Sequence, residues 1–127
     1  MRLKLAPGWT AELDRGPDCL FIRLHGQERT QPAELDLADQ LSRLLDQEFA
    51  HRLVVEMDDV PAMRSHMLAE LVRLCQQIHD RGGMMRVCGL SADNHEILQR
   101  TRLSELLPLY RSRTEAVMGC DRPLQHR

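Results

Sequence analysis

From residue 9 to residue 25 apolar and polar side chains alternate with a period of two, and further on the period lengthens to that of a helix. Trp9, Ala11 and Leu13 interleave with Thr10, Glu12 and Asp14, the pattern of a half-buried strand. Arg15-Gly16-Pro17-Asp18 supplies turn residues. Leu20, Ile22 and Leu24 then form one inward face, Cys19 and Phe21 lie on the other, and Gly26 closes the second strand of a predicted hairpin. Thr30-Gln31-Pro32 marks a helix start, because proline is tolerated in the first turn. Leu37, Leu41, Leu44 and Leu45 follow at helical spacing, opposite Asp36, Asp39, Arg43 and Asp46, and predict a helix to about Glu48.

Leu53-Val54-Val55 is a short β-favouring run suited to a strand buried on both faces. Asp58 and Asp59 come next and read as solvated loop acids; Pro61 ends any regular ladder. Ser65 stands at the head of a helical pattern carried by Leu68, Leu71, Val72, Cys75 and Ile78, which stops at Arg81-Gly82-Gly83. Met84 to Cys88 suits another central strand, and Ser91 caps a third helix with Ile97 and Leu98. A short edge strand is expected around Leu106-Pro108-Leu109-Tyr110. Ser112 with Glu115 makes a capping box for a last helix through Val117 and Met118, and the chain from about residue 119 reads as a loose tail. The order β-β-α-β-α-β-α-β-α implies one α/β domain over residues 1–127, with a small mixed β-sheet and helices packed mainly on one side.

Composition narrows the function. Aromatic residues make up 3% of the chain, which argues against base-stacking platforms, and a net charge of −2 with interspersed signs leaves no basic footprint. No direct contact with nucleic acid is expected. No apolar run approaches the roughly 20 residues of a bilayer span, and the first residues lack a signal-like segment. The expectation is a cytoplasmic protein without membrane insertion. Cys19, Cys75, Cys88 and Cys120 show no zinc-ligand spacing, and the six histidines are dispersed; no metal and no cofactor are expected. Nor is there a glycine-rich phosphate loop that would favour a nucleotide sensor.

Taken in order, the IRLHG strand ending at Gly26, the LVVEMDDV strand, the serine-opened helix, and the run from His79 through Val117 resemble the STAS domain of bacterial anti-sigma factor antagonists. In that second half a Gly-Gly pair precedes a strand and Gly-Leu-Ser leads into a helix. The likeness covers about Trp9 to Met118. In the family, an Asp-Ser-Ser or Asp-Ser-Thr core followed by Gly-Leu-Gly begins the central helix, and its first hydroxyl is phosphorylated by a partner kinase that is also the anti-sigma factor. Arg64-Ser65-His66 falls on that core and Met67-Leu68-Ala69 on the glycine motif. Ser65 thus occupies the modified position, while Arg64, His66, Met67 and Ala69 depart from the family pattern.

Two readings of Ser65 stay open on the residues alone. As an N-cap, its oxygen accepts a first-turn N–H. As a modification site, it gains about −1.5 to −2 charges and three acceptor oxygens at a helix terminus whose dipole favours anions. A hydrolase nucleophile with His66 as base is disfavoured, since neighbouring helix residues point apart and no GxSxG elbow is present. The resemblance implies a non-enzymatic regulator whose partners are an anti-sigma factor/serine kinase and a phosphatase. Asp58, Asp59, Met63, Arg64, Ser65, His66 and Met67 are the expected partner-binding residues, with Met63 and Met67 either an adaptable apolar rim or, for Met67, part of the core. The alternative is a STAS subunit of a transport assembly, docking onto an ATPase and never phosphorylated.

Overall fold

A computed structural model describes residues 2–6, 8–17, 19–26, 36–61, 63 and 65–118, without the side chains of Ala6, Ser65 and His66. Six strands form one sheet in the order β1-β2-β3-β4-β5-β6, matching their order in the chain. They are β1 (Arg2–Ala6), β2 (Trp9–Gly16), β3 (Cys19–Gly26), β4 (Arg52–Asp59), β5 (Met84–Cys88) and β6 (Leu109–Tyr110). β1, β2 and β3 pair antiparallel; β3 to β6 pair parallel. The α-helices are α1 (Leu37–Gln47), α2 (Ser65–Asp80), α3 (Ala92–Arg100) and α4 (Arg113–Met118), with a 3₁₀ turn at Leu103–Leu106.

The expected hairpin is β2–β3, and the small mixed α/β sheet is the expected architecture. Its two faces are unequal. Leu20, Ile22, Leu24, Leu53, Val55, Met57, Met85 and Val87 point to the main core, where Leu37, Leu41, Leu45, Leu68, Leu71, Leu74 and Leu98 of α1, α2 and α3 meet them. Among the described residues the opposite face is covered by α4 alone, with Val54, Cys88, Tyr110 and Ala116 buried beside Phe21. Period-two alternation thus sends consecutive residues of β4 to different cores. At the edge of the main core the Trp9 ring lies flat on Gly26: a Cβ there would come within 2.5 Å of the ring, so only glycine fits.

Two elements differ from the sequence reading. Strand β1 went unread although Leu3 and Leu5 alternate with Arg2 and Lys4. The edge strand is shorter than expected, because Leu103–Leu106 coils into the 3₁₀ turn before Leu109–Tyr110 pairs with β5. The expected helix start at Thr30-Gln31-Pro32 and the tail from residue 119 lie outside the described residues. The caps fall as expected: Ser91 Oγ accepts the Asn94 N–H at 3.2 Å and Ser112 Oγ accepts the Glu115 N–H at 3.2 Å. No helix among the described residues is long and apolar enough to cross a membrane.

Candidate functional site

The parallel strands β3, β4 and β5 end at Gly26, Asp59 and Cys88, and α2 starts at Ser65, so the serine lies at the edge where the parallel strands finish. That is where open α/β sheets meet their ligands. A helix of 16 residues beginning there turns free N–H groups and the positive end of its dipole toward Ser65. Arg64 lies outside the described residues, as do the side chains of Ser65 and His66.

Asp58 and Asp59 are not loop acids. They are the last two residues of β4, and a bulge explains their aim. Arg23 pairs with Glu56, but two residues on His25 pairs with Asp59, so β4 carries one extra residue opposite β3. Asp59 therefore meets His25 Nδ1 at 3.2 Å and Arg23 Nη1 at 3.4 Å. His25 Nε2 lies 3.3 Å from Glu12 Oε1, without the alignment of a hydrogen bond. Asp58 stands 4.0 Å from Arg23 Nη2 and leans over Gly89, where a Cβ would come within 2.1 Å of Asp58 Oδ1. Gly89 also has φ +72°, so a side chain there is both strained and blocked. Both acids keep an exposed edge beside Arg23.

Met63 and Met67 form no apolar rim, and of the two readings left open for Met67 the core placement holds. Met63 is 2% exposed and Met67 fully buried, so both side chains belong to the main core beneath the start of α2. Helical phase places Met67 on the same stripe as Leu68 and Leu71, which points at the sheet.

Of the buried polar residues Glu56, Asn94 and Ser104, none was singled out from the sequence, and the first two bear on the site. Glu56, 1% exposed, lies in the middle of β4 on the α4 side. Its Oε1 accepts from Arg23 Nη2 at 2.9 Å, and its Oε2 accepts from Arg113 Nε at 3.1 Å and from Arg113 Nη2. Arg113 also donates to Asp14 at 2.8 Å and stacks on Phe21, 4.3 Å from the ring centre. Hydrogen bonding to Glu56, opposed by partial burial, holds the Arg113 pKa above its ordinary value. Glu56, Asp58 and Cys88 place ligand-type atoms within 4.8 Å of one another. Both Glu56 oxygens are occupied by guanidinium groups, and burial, with Glu56 and Asp58 nearby, pushes the Cys88 thiol up to about 12. Within this cluster the Glu56 oxygens serve Arg23 and Arg113.

The second is Asn94 of α3, fully buried. Its Oδ1 accepts the Met63 N–H at 2.7 Å and its Nδ2 donates to the Pro61 carbonyl at 3.1 Å. One amide thereby engages the segment on either side of residue 62, just ahead of Ser65. The signal available in sequence was a polar residue in a helix otherwise read only for Ile97 and Leu98.

Comparison with known proteins decides the family. A model of the STAS domain matches residues 10–116. The chain belongs to the STAS family. Three solved structures place this STAS domain among its relatives. An anti-sigma factor antagonist from Mycobacterium paratuberculosis superposes with a TM-score of 0.70 at 16% identity, covering 92% of this chain and 98% of that one. The anti-sigma factor antagonist SpoIIAA in its unphosphorylated form gives 0.66 at 16% identity, over 84% of this chain and 92% of that one. The Bacillus cell fate determinant SpoIIAA in its phosphorylated form gives 0.60 at 14% identity, over 85% and 96%. At such identities the likeness speaks for the fold.

Proposed function

We propose that this STAS domain is a cytoplasmic, non-enzymatic anti-sigma factor antagonist. It binds an anti-sigma factor that is also a serine kinase, so that a sigma factor is released. Phosphorylation of Ser65 by that partner weakens the complex, and a phosphatase restores it. The observation that carries the reading is the start of α2 at Ser65, beside the ends of the parallel strands. A phosphate at that position meets free first-turn amides and the helix dipole, so the fold tolerates it. A partner surface shaped for a neutral hydroxyl then faces a dianion. Asp58, Asp59, Arg64, Ser65 and His66 form the contact surface, while Met63 and Met67 support it from beneath. Two solved structures of similar fold, described as SpoIIAA with and without phosphate, are consistent with a fold that accepts the group.

The departures at Arg64, Met67 and Ala69 favour one other reading, a STAS subunit docked onto an ATPase of a transport assembly and never phosphorylated. Neighbouring genes separate the two: sigma factor and kinase genes support the first, permease and ATPase genes the second. The direct test is capture of the partner from a host extract by Ser65→Ala and Ser65→Asp proteins. Retention by the alanine form and loss by the aspartate form is expected; equal retention removes the switch.

A further inference from the structure

The geometry points to Asn94 as a positioning residue for the Ser65 surface: we propose that its side-chain amide holds the backbone at Pro61 and Met63, just ahead of the start of α2, in the arrangement that partner and kinase meet. The inference rests on the Ser65 reading above for its consequence, and on the contacts of Asn94 for its cause.

The backbone leaves β4 at Asp59, and Val60 closes a turn by donating its N–H to the Met57 carbonyl at 3.1 Å. Beyond it, Pro61 has no N–H to offer, and its carbonyl and the Met63 N–H both lie outside helix and sheet and need partners there. Both are met by one side chain. A primary amide is the group for this task, presenting one acceptor and one donor in a plane. The partners also settle which way the amide faces, because an N–H demands the oxygen and a carbonyl demands the nitrogen. Asn94 is fully buried, with its own N–H on the Ser91 cap, so the amide has little freedom to leave. Val60 and Met63, 3% and 2% exposed, anchor the same segment through their side chains. Since α3 supplies the amide and α2 carries Ser65, the entry to α2 is set by a neighbouring helix 31 residues away in sequence. The acids at the end of β4 lie instead against Arg23, His25 and Gly89.

Hydrogen exchange on the free protein tests the cause without any partner. In the unaltered protein the Met63 amide should exchange at least about a hundredfold more slowly than in an unstructured chain, as expected for a buried bonded N–H. Asn94→Leu should speed the Met63 amide by at least about tenfold, leaving β4 and β5 unchanged. Asn94→Asp keeps an acceptor for the Met63 N–H and should keep that amide slow. Binding to the captured partner should then weaken about tenfold for Asn94→Leu and less for Asn94→Asp, since an unordered segment must be ordered on binding. Unprotected Met63 in the unaltered protein overturns the inference even if Asn94→Leu fails to fold. So does acceleration spread evenly over the whole molecule, or none at all. Failure of Ser65→Asp to release the partner would instead defeat the switch and leave the exchange result intact.

Discussion

Arg113 of α4 and Glu56 of β4, 57 residues apart in sequence, share a hydrogen bond of 3.1 Å between Nε and Oε2, backed by a second from Nη2 to the same oxygen. This pair fastens the last helix to the sheet. Ala116 is the only fully buried apolar side chain of α4, whereas Val117 and Met118 are 53% and 76% exposed. Polar attachment therefore does what apolar packing does for the other helices.

Removing the arginine leaves a buried carboxylate with Arg23 as its remaining guanidinium partner. Arg113→Met should therefore destabilise the protein by about 3 kcal/mol, the usual consequence of breaking one side of a buried pair. In a Glu56→Met background the same substitution should have a much smaller effect. Urea unfolding midpoints of the four proteins of this cycle give the comparison, and additive losses would contradict the coupling.

Met67 offers a test of which surface a partner sees. With its side chain fully buried among α2 and sheet residues, Met67→Ala should lower stability by about 2–5 kcal/mol. At temperatures where the variant stays folded, its partner binding should be close to normal. Calorimetric melting and the capture assay measure the two effects separately.

Cys88 predicts an alkaline loss of stability. Its thiol is held neutral by burial and by the nearby Glu56 and Asp58, with a folded pKa of about 12 against an ordinary 9.0. The unfolded chain releases that proton first as pH rises. The contribution is thus complete below about pH 9 and is lost progressively toward about pH 12. Stability measured by unfolding from pH 8 upward should fall more steeply for the unaltered protein than for Cys88→Ala. Equal slopes would contradict the assignment.

Much of this fold can be read along the chain because its signals are local. Alternation in Trp9–Leu13 and Leu20–Leu24 gives the hairpin, Ser91 and Ser112 announce their helices, and the leucines of α1 and α2 give the buried stripes. Strand β1 had the same signal and was legible. What escaped depends on register between distant segments. Glu56 is a lone acid in an apolar run until β3 and β4 are aligned, when it falls opposite Arg23. The re-aiming of Asp59 toward His25 follows from a bulge that no residue type announces. Asn94 binds a backbone segment more than 30 residues earlier, which periodicity cannot reveal. Met63 and Met67 were ambiguous because exposure at a helix start depends on what the preceding loop covers.

The central claim is that Ser65 carries the modification that decides partner binding, and intact-mass analysis of the protein purified from its native host tests it most directly. The account predicts a species heavier by about 80 Da, one phosphoryl group, that maps to Ser65 and is depleted from the partner-bound fraction. Protein that is wholly unmodified under every growth condition, or modified only elsewhere, would contradict it.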